Sequence, residues 1–258
     1  MMKKIVLAVL AILIVLIAPK AYYYYAEVSK AMSEDPRVWE EAIVEFEEDA
    51  RANGYPENAV VFVGSSSIRL WTSLVKDMGP IPVIQRGFGG AKLADVDYYA
   101  ERLVNAYKPA AVVVFAGTND ISEDMTYTPR QLADTYKSFV AKVRKDQNNV
   151  PIYYIGITPS VLKWNVWDKG QATNNLIRDF IEQDENHTFI DTSVALLEEL
   201  GEPNPDNYAD EFLWGGLHLN AKGYAIWTNV IKPYLMEYAL QPDQTEVSEL
   251  QVIQADAS

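Results

Sequence analysis

Five short apolar runs alternate with longer stretches whose apolar residues recur every three or four positions, and no other feature constrains the fold of this chain as strongly. The runs are Ala59 to Val63, Pro82 to Gln85, Ala110 to Ala116, Val150 to Ile157 and Thr188 to Asp191. Runs this short and this continuously apolar suit strands buried on both faces. The stretches between them carry a helical period. Val38, Trp39, Ala42, Ile43 and Phe46 form one stripe in residues 33–52, with Ser33 or Asp35 as its cap and Pro36 in its first turn. Ile68, Trp71, Leu74 and Val75 form a second, and Leu93, Val96, Tyr99, Ala100, Leu103 and Val104 a third. Further helices are expected over Pro129–Asp146, Gln171–Gln183, Val194–Leu200 and Ala221–Ala239. Strands alternating with amphipathic helices predict an α/β domain built on a five-stranded parallel sheet. In such a sheet the functional crevice lies outside the carboxyl ends of the strands.

Three polar, glycine-bearing blocks fall at those ends. Gly64-Ser65-Ser66-Ser67 follows the first strand, Gly87-Phe88-Gly89-Gly90 the second, and Gly117-Thr118-Asn119-Asp120 the third. A fourth, Gly215-Gly216-Leu217-His218-Leu219-Asn220, precedes the last helix. Together they hold the parts for acyl transfer through a covalent serine. Ser66, at a strand-to-helix junction, is the candidate nucleophile, and its own N–H is a candidate oxyanion donor. Ser65 and Ser67 read as caps. A glycine at 90 lets a backbone N–H approach a substrate oxygen, and the Asn119 side-chain amide can donate to the same atom. Asp120 is expected to accept from a backbone N–H and shape its loop. The chain has two histidines. His218, beside the glycine pair, is the candidate general base, because imidazole titrates near neutrality. His187, behind a polar run, reads as a surface residue, and Arg86 and Lys92 read as surface or packing residues. Trp71, Trp164, Trp167 and Trp214 fall near the candidate site loops.

Composition removes several function classes. Cysteine is absent, so disulfides, thiol catalysis and thiolate metal sites are excluded. Two histidines so far apart give no zinc spacing, and no metal or cofactor is expected. A net charge of −14 argues against nucleic acid and against electrostatic docking on anionic lipid.

The N-terminus points elsewhere. Lys3-Lys4 precede an unbroken apolar run from Ile5 to Ala18, then Pro19, Lys20, Ala21 and four tyrosines. Such a segment is a membrane anchor or a secretory signal. The nearest small-x-small site, Ser29-Lys30-Ala31, lies far behind the apolar run, so an uncleaved anchor over residues 5–25 is expected. The dilysine then leaves the domain outside the cytoplasm, in a periplasmic or cell-envelope location. The expected organisation is an anchor or signal segment over 1–32, one domain over 33–240, and a disordered acidic tail over 241–258. Oligomeric state is left open.

In kind and order the four blocks resemble those of the SGNH (GDSL) hydrolase superfamily of serine esterases, lipases and acetylesterases. The match runs from about Ala59 to about Leu235, with Asn119 in Gly-Thr-Asn-Asp and His218 in Leu-His-Leu-Asn as its most specific points. The resemblance implies a flavodoxin-like three-layer α/β/α sandwich. It assigns Ser66 as nucleophile, Gly90 and Asn119 as oxyanion donors, and His218 as base. It implies a small-molecule acyl ester as substrate, with acetylated carbohydrate and lysophospholipid as the leading classes. The chain departs from the pattern at two points. Ser65 replaces the acidic residue before the nucleophile. Gly215 stands three residues before His218, where the family places the aspartate that orients the imidazole. Asp210 and Glu211 are the nearby carboxylates able to take that role; otherwise the pair acts as a Ser–His dyad. A catalytically weakened or silent ligand-binding protein is the alternative.

Overall fold

A computed structural model of the chain describes residues 25–123, 127–202 and 216–240, together with Ala18, Pro19 and Tyr22. Five strands form one parallel sheet: β1 (Val60–Gly64), β2 (Val83–Gly87), β3 (Ala111–Phe115), β4 (Ile152–Ile155) and β5 (His187–Ile190). Their spatial order is β2-β1-β3-β4-β5, the doubly wound order in which the chain changes direction between β1 and β3. Register puts the ends of the three site-bearing strands level, because Gly64 stands opposite both Gly87 and Phe115. The first three blocks therefore leave the sheet at one height, on either side of the switch point.

Helices cover both faces. On one side lie α1 (Glu40–Asn53), α4 (Leu93–Tyr98), α5 (Ala100–Leu103), α6 (Pro129–Val143) and α7 (Trp167–Ile181). On the other lie α2 (Ser66–Arg69), α3 (Leu74–Met78), α8 (Thr192–Leu200) and α9 (Ala221–Leu240). Alternate strand residues divide between the two cores. Val61, Val63, Val112 and Val114 pack toward the first layer, and Val60, Phe62, Val113 and Phe115 toward the second. All eight are buried, as a sheet covered on both faces requires. The expected five-stranded α/β/α sandwich is present.

Some local expectations need correction. The stripe at 68–75 is not one helix. The chain turns after α2, Trp71 goes into the core, and α3 begins at Leu74, which leaves Val75 on the outside at 66% exposure. The first helix opens as a 3-10 turn over Pro36–Trp39, with Asp35 accepting from Arg37 N. The stretch expected as a helix from Gln171 begins earlier, at Trp167. Among the described residues no helix is long and apolar enough to cross a membrane. Residues 5–17 and the tail from 241 lie outside the described residues, as do Asp210, Glu211, Trp214 and Gly215.

Candidate active site

Gly64 ends β1 with φ +149°, and a Cβ there would lie 2.0 Å from the Phe115 carbonyl oxygen. Only glycine tolerates both that torsion and that approach. The chain can therefore turn sharply off the sheet, and Ser65 N donates back to Phe115 O at 3.0 Å. Ser66 then opens α2, 7% exposed.

His218 reaches it from 152 residues away, and Ser66 Oγ meets His218 Nε2 at 2.8 Å. Aromatic packing brings the two together. Trp71, just past α2, stacks on Tyr224 of α9 with centroids 5.1 Å apart, and both meet Trp227. The Tyr224 hydroxyl donates to Ser67 O at 2.7 Å. Asn220 Oδ1 caps α9 by accepting from Lys222 N and Gly223 N. The loop carrying His218 is thereby fastened to the loop carrying Ser66. Trp71 serves this packing from a fully buried position rather than lining the site.

His218 is half-buried, and its pKa is lowered, first by burial and then by the positive charge of Arg69. The lowered pKa keeps the imidazole neutral, the form able to accept a proton, at neutral pH. Among the described residues no carboxylate lies within ion-pair distance of His218. The candidate orienters Asp210 and Glu211, and Gly215 itself, lie outside the described residues.

Ser66 and His218 line a hollow shared with Thr118, Asn119, Thr158 and Ser160, floored by Phe115, Trp227 and the leucines either side of His218. Asn119 spends one side-chain hydrogen on Ala91 O at 2.9 Å, which leaves its second hydrogen for a ligand. The N–H groups of Ser66 and Gly90 make no hydrogen bond among the described residues. Gly90 lies in the adjoining loop but is not among the lining residues.

Asp120 joins the second block to the third: its buried carboxylate accepts from Leu93 N at 3.0 Å. Burial pushes its pKa up to about 7, and the nearby Asp95 charge adds to the rise. Thr118 and Ser160 escaped the sequence reading, since lone hydroxyls have no periodic signature. Both hydroxyls are buried without a hydrogen-bond partner, an exception among buried polar groups, which are nearly always paired. Among the described residues no group of His, Asp and Glu side chains could hold a metal.

His187 is not a surface residue. It begins β5, paired with Ile152, and is buried at 6% exposure. Its Nε2 shares a hydrogen bond with the Tyr136 hydroxyl at 2.5 Å, and burial pulls its pKa down to about 4. Arg86 and Lys92 are likewise buried, at 6% and 8% exposure, in packing roles.

The fold is similar to those of known esterases and lipases. A protein from Streptococcus pneumonia described as a platelet activating factor aligns at 16% identity with a TM-score of 0.67, over 85% of this chain and 99% of its own. A GDSL-like lipase from Bacteroides thetaiotaomicron aligns at 21% identity and TM-score 0.59, over 76% and 97%. An acetylxylan esterase from Geobacillus stearothermophilus aligns at 18% and 0.57, over 72% and 96%. These are likenesses of fold. No curated protein matches the chain in sequence. The model of the GDSL-like lipase/acylhydrolase family matches residues 52–226, and with the bulk of the domain inside that match, the chain belongs to this family.

Proposed function

We propose that this protein is a serine ester hydrolase acting on small acyl esters through an acyl-enzyme at Ser66. The contact of Ser66 Oγ with His218 Nε2 at 2.8 Å carries this reading. Ser66 attacks the ester carbonyl while His218 takes its proton. The oxyanion accepts from Ser66 N–H, Gly90 N–H and the free hydrogen of Asn119. The imidazolium then returns the proton to the departing alcohol, and water releases the acyl group by the same steps. A polar ligand suits the unpaired hydroxyls of Thr118 and Ser160. Acetylated carbohydrate is the first substrate class, in keeping with the acetylxylan esterase of like fold. A lysophospholipid-like ester is the second.

The N-terminal segment serves in this reading as an uncleaved anchor, with the domain on the extracytoplasmic face. Residues 25–32 are helical and leave Tyr25, Val28 and Met32 exposed at a spacing of three and four, with Tyr22 exposed three residues earlier. In sequence this segment follows the apolar run from Ile5 to Ala18, and tyrosine favours a membrane interface. Retention of the chain in the membrane pellet after alkaline extraction is the expected result; release into the supernatant would refute the anchor.

Hydrolysis of p-nitrophenyl acetate tests the chemistry, compared between the parent chain and Ser66→Ala. Equal rates would leave a second reading, a silent ligand-binding protein. Gly215 at the position of the family's aspartate favours it. Gly215→Asp separates a weakened enzyme from a self-sufficient dyad: a rise in kcat marks the first, no change the second.

A further inference from the structure

The family match begins at residue 52, yet the second block is enclosed from outside by residues that precede it. The Ala31 methyl sits on Gly90, where an added Cβ would lie 2.6 Å from Ala31 Cβ. The Trp39 ring sits on Gly89, where an added Cβ would lie 2.0 Å from the ring, and it meets Phe88 edge-on at 5.7 Å. Trp39 Nε1 donates to Asp95 Oδ2 at 3.2 Å, and Lys92 N donates to the same oxygen at 2.8 Å. Lys92 is 8% exposed, and its ammonium donates to Ser33 O at 2.9 Å and pairs with Glu34. The other Glu34 oxygen accepts from the Tyr127 hydroxyl at 2.8 Å, so the same residue also grips the chain that follows the third block.

We propose that residues 31–39 are a brace that sets the position of the Gly90 amide, making Ala31, Glu34 and Trp39 positioning residues for the reaction. This inference rests on the reading of Gly90 as an oxyanion donor. None of the three lines the hollow; they act through the loop. A loop at the edge of a sheet is ordinarily among the more mobile parts of a fold. An oxyanion donor tolerates little of that, since a misplacement of about 1 Å can cost on the order of 10²-fold in rate. Gly90 has no side chain of its own to pack, so the loop must be steadied by neighbours. On the inner side Asp120 and Asn119 bind Leu93 N and Ala91 O. The brace supplies the outer side. Ala31 also ends the small-x-small sequence Ser29-Lys30-Ala31, so processing after it would strip the methyl from Gly90.

The test uses the full chain with Ala31→Gly and Lys92→Met, and Lys92→Arg as the conservative control. Amide hydrogen exchange over residues 88–93 is expected to speed up roughly fivefold or more in the first two, with β1 unchanged. With p-nitrophenyl acetate their kcat is expected to fall about tenfold while KM stays within about twofold, because the oxyanion exists only in the transition state. Lys92→Arg restores both. Exchange identical to the parent chain would overturn the brace. Faster exchange with unaltered kcat would also overturn it, since the loop's position would then not matter to the reaction. Should the parent chain itself show no Ser66-dependent turnover, the hydrolase reading fails, and exchange alone decides the brace.

Discussion

Two histidines sit at opposite ends of the sheet, each with its Nε2 against a hydroxyl. At the carboxyl edge His218 meets Ser66 Oγ at 2.8 Å, and at the amino edge His187 meets the Tyr136 hydroxyl at 2.5 Å. Burial lowers both pKa values. The pairs differ in what surrounds them. Ser66 and His218 open onto a hollow lined by an amide and unpaired hydroxyls. Tyr136 and His187 are sealed among Phe139, Tyr154 and Phe180, with His187 Nδ1 unpartnered and 3.9 Å from Asp184. An imidazole beside a hydroxyl is thus not a site by itself. Access for a ligand, and donors aimed at the charge that develops on it, separate chemistry from packing.

The sharpest way to break this comparison is to remove each imidazole in turn. His218→Asn is expected to lower kcat on p-nitrophenyl acetate by a factor on the order of 10⁴, with the urea midpoint little changed. His187→Ala is expected to do the reverse. It leaves a cavity and an unpaired Tyr136 hydroxyl, at a cost of about 3–5 kcal/mol measured by urea unfolding, while the surviving folded fraction keeps its kcat. A large kcat loss in His187→Ala at full folding would erase the distinction.

One side of this contrast could be read from residue order, and the other could not. The strands were legible because continuous apolar runs have one stable home in a parallel sheet. The first, third and fourth blocks were legible because a serine, an asparagine and a histidine at strand and helix ends are chemically distinctive. His187 was misread because Gln183 to Asn186 are polar, and a strand only four residues long carries too little pattern to outweigh them. The part Trp71 plays in joining the two loops was hidden because its partners, Tyr224 and Trp227, lie about 150 residues away in sequence. The contact of Ala31 with Gly90 is equally invisible, since neither residue announces a partner. Long-range packing of small residues leaves no periodic trace.

A smaller effect comes from a third buried titratable group, which responds to pH with the opposite sign to His187. Asp120 rises from an ordinary 3.8 to about 7 in the folded chain, through burial first, with Asp95 opposing its charge and Lys92 favouring it; Lys163 also feels this carboxylate. A carboxyl whose folded pKa lies above its unfolded value costs nothing below pH 4 and destabilises progressively as pH climbs toward 7. Asp120→Asn keeps an acceptor for Leu93 N and removes the titration. Its unfolding free energy in urea, relative to the parent, is expected to rise between pH 5 and pH 8, by on the order of 2 kcal/mol. A parallel pH dependence in both chains would show that Asp120 stays ionised throughout.

The smallest effect is read without any change to the reaction. The chain has only two imidazoles, so its histidine NMR resonances are two sets, assigned by a single His187→Ala spectrum. His218 is expected to titrate below the ordinary 6.5, and His187 lower still, near 4. His187 stays neutral in the fold but takes a proton when unfolded, so the stability it protects is complete above about pH 6.5 and drains away as pH falls toward 4. His218 is open to the hollow, so its resonance should also move when an acyl phosphonate occupies Ser66, and that of His187 should not. Equal responses of the two rings would mean that the hollow and the core are not electrostatically distinct. The contrast between a pair proposed to react and a packed pair would then have no physical basis.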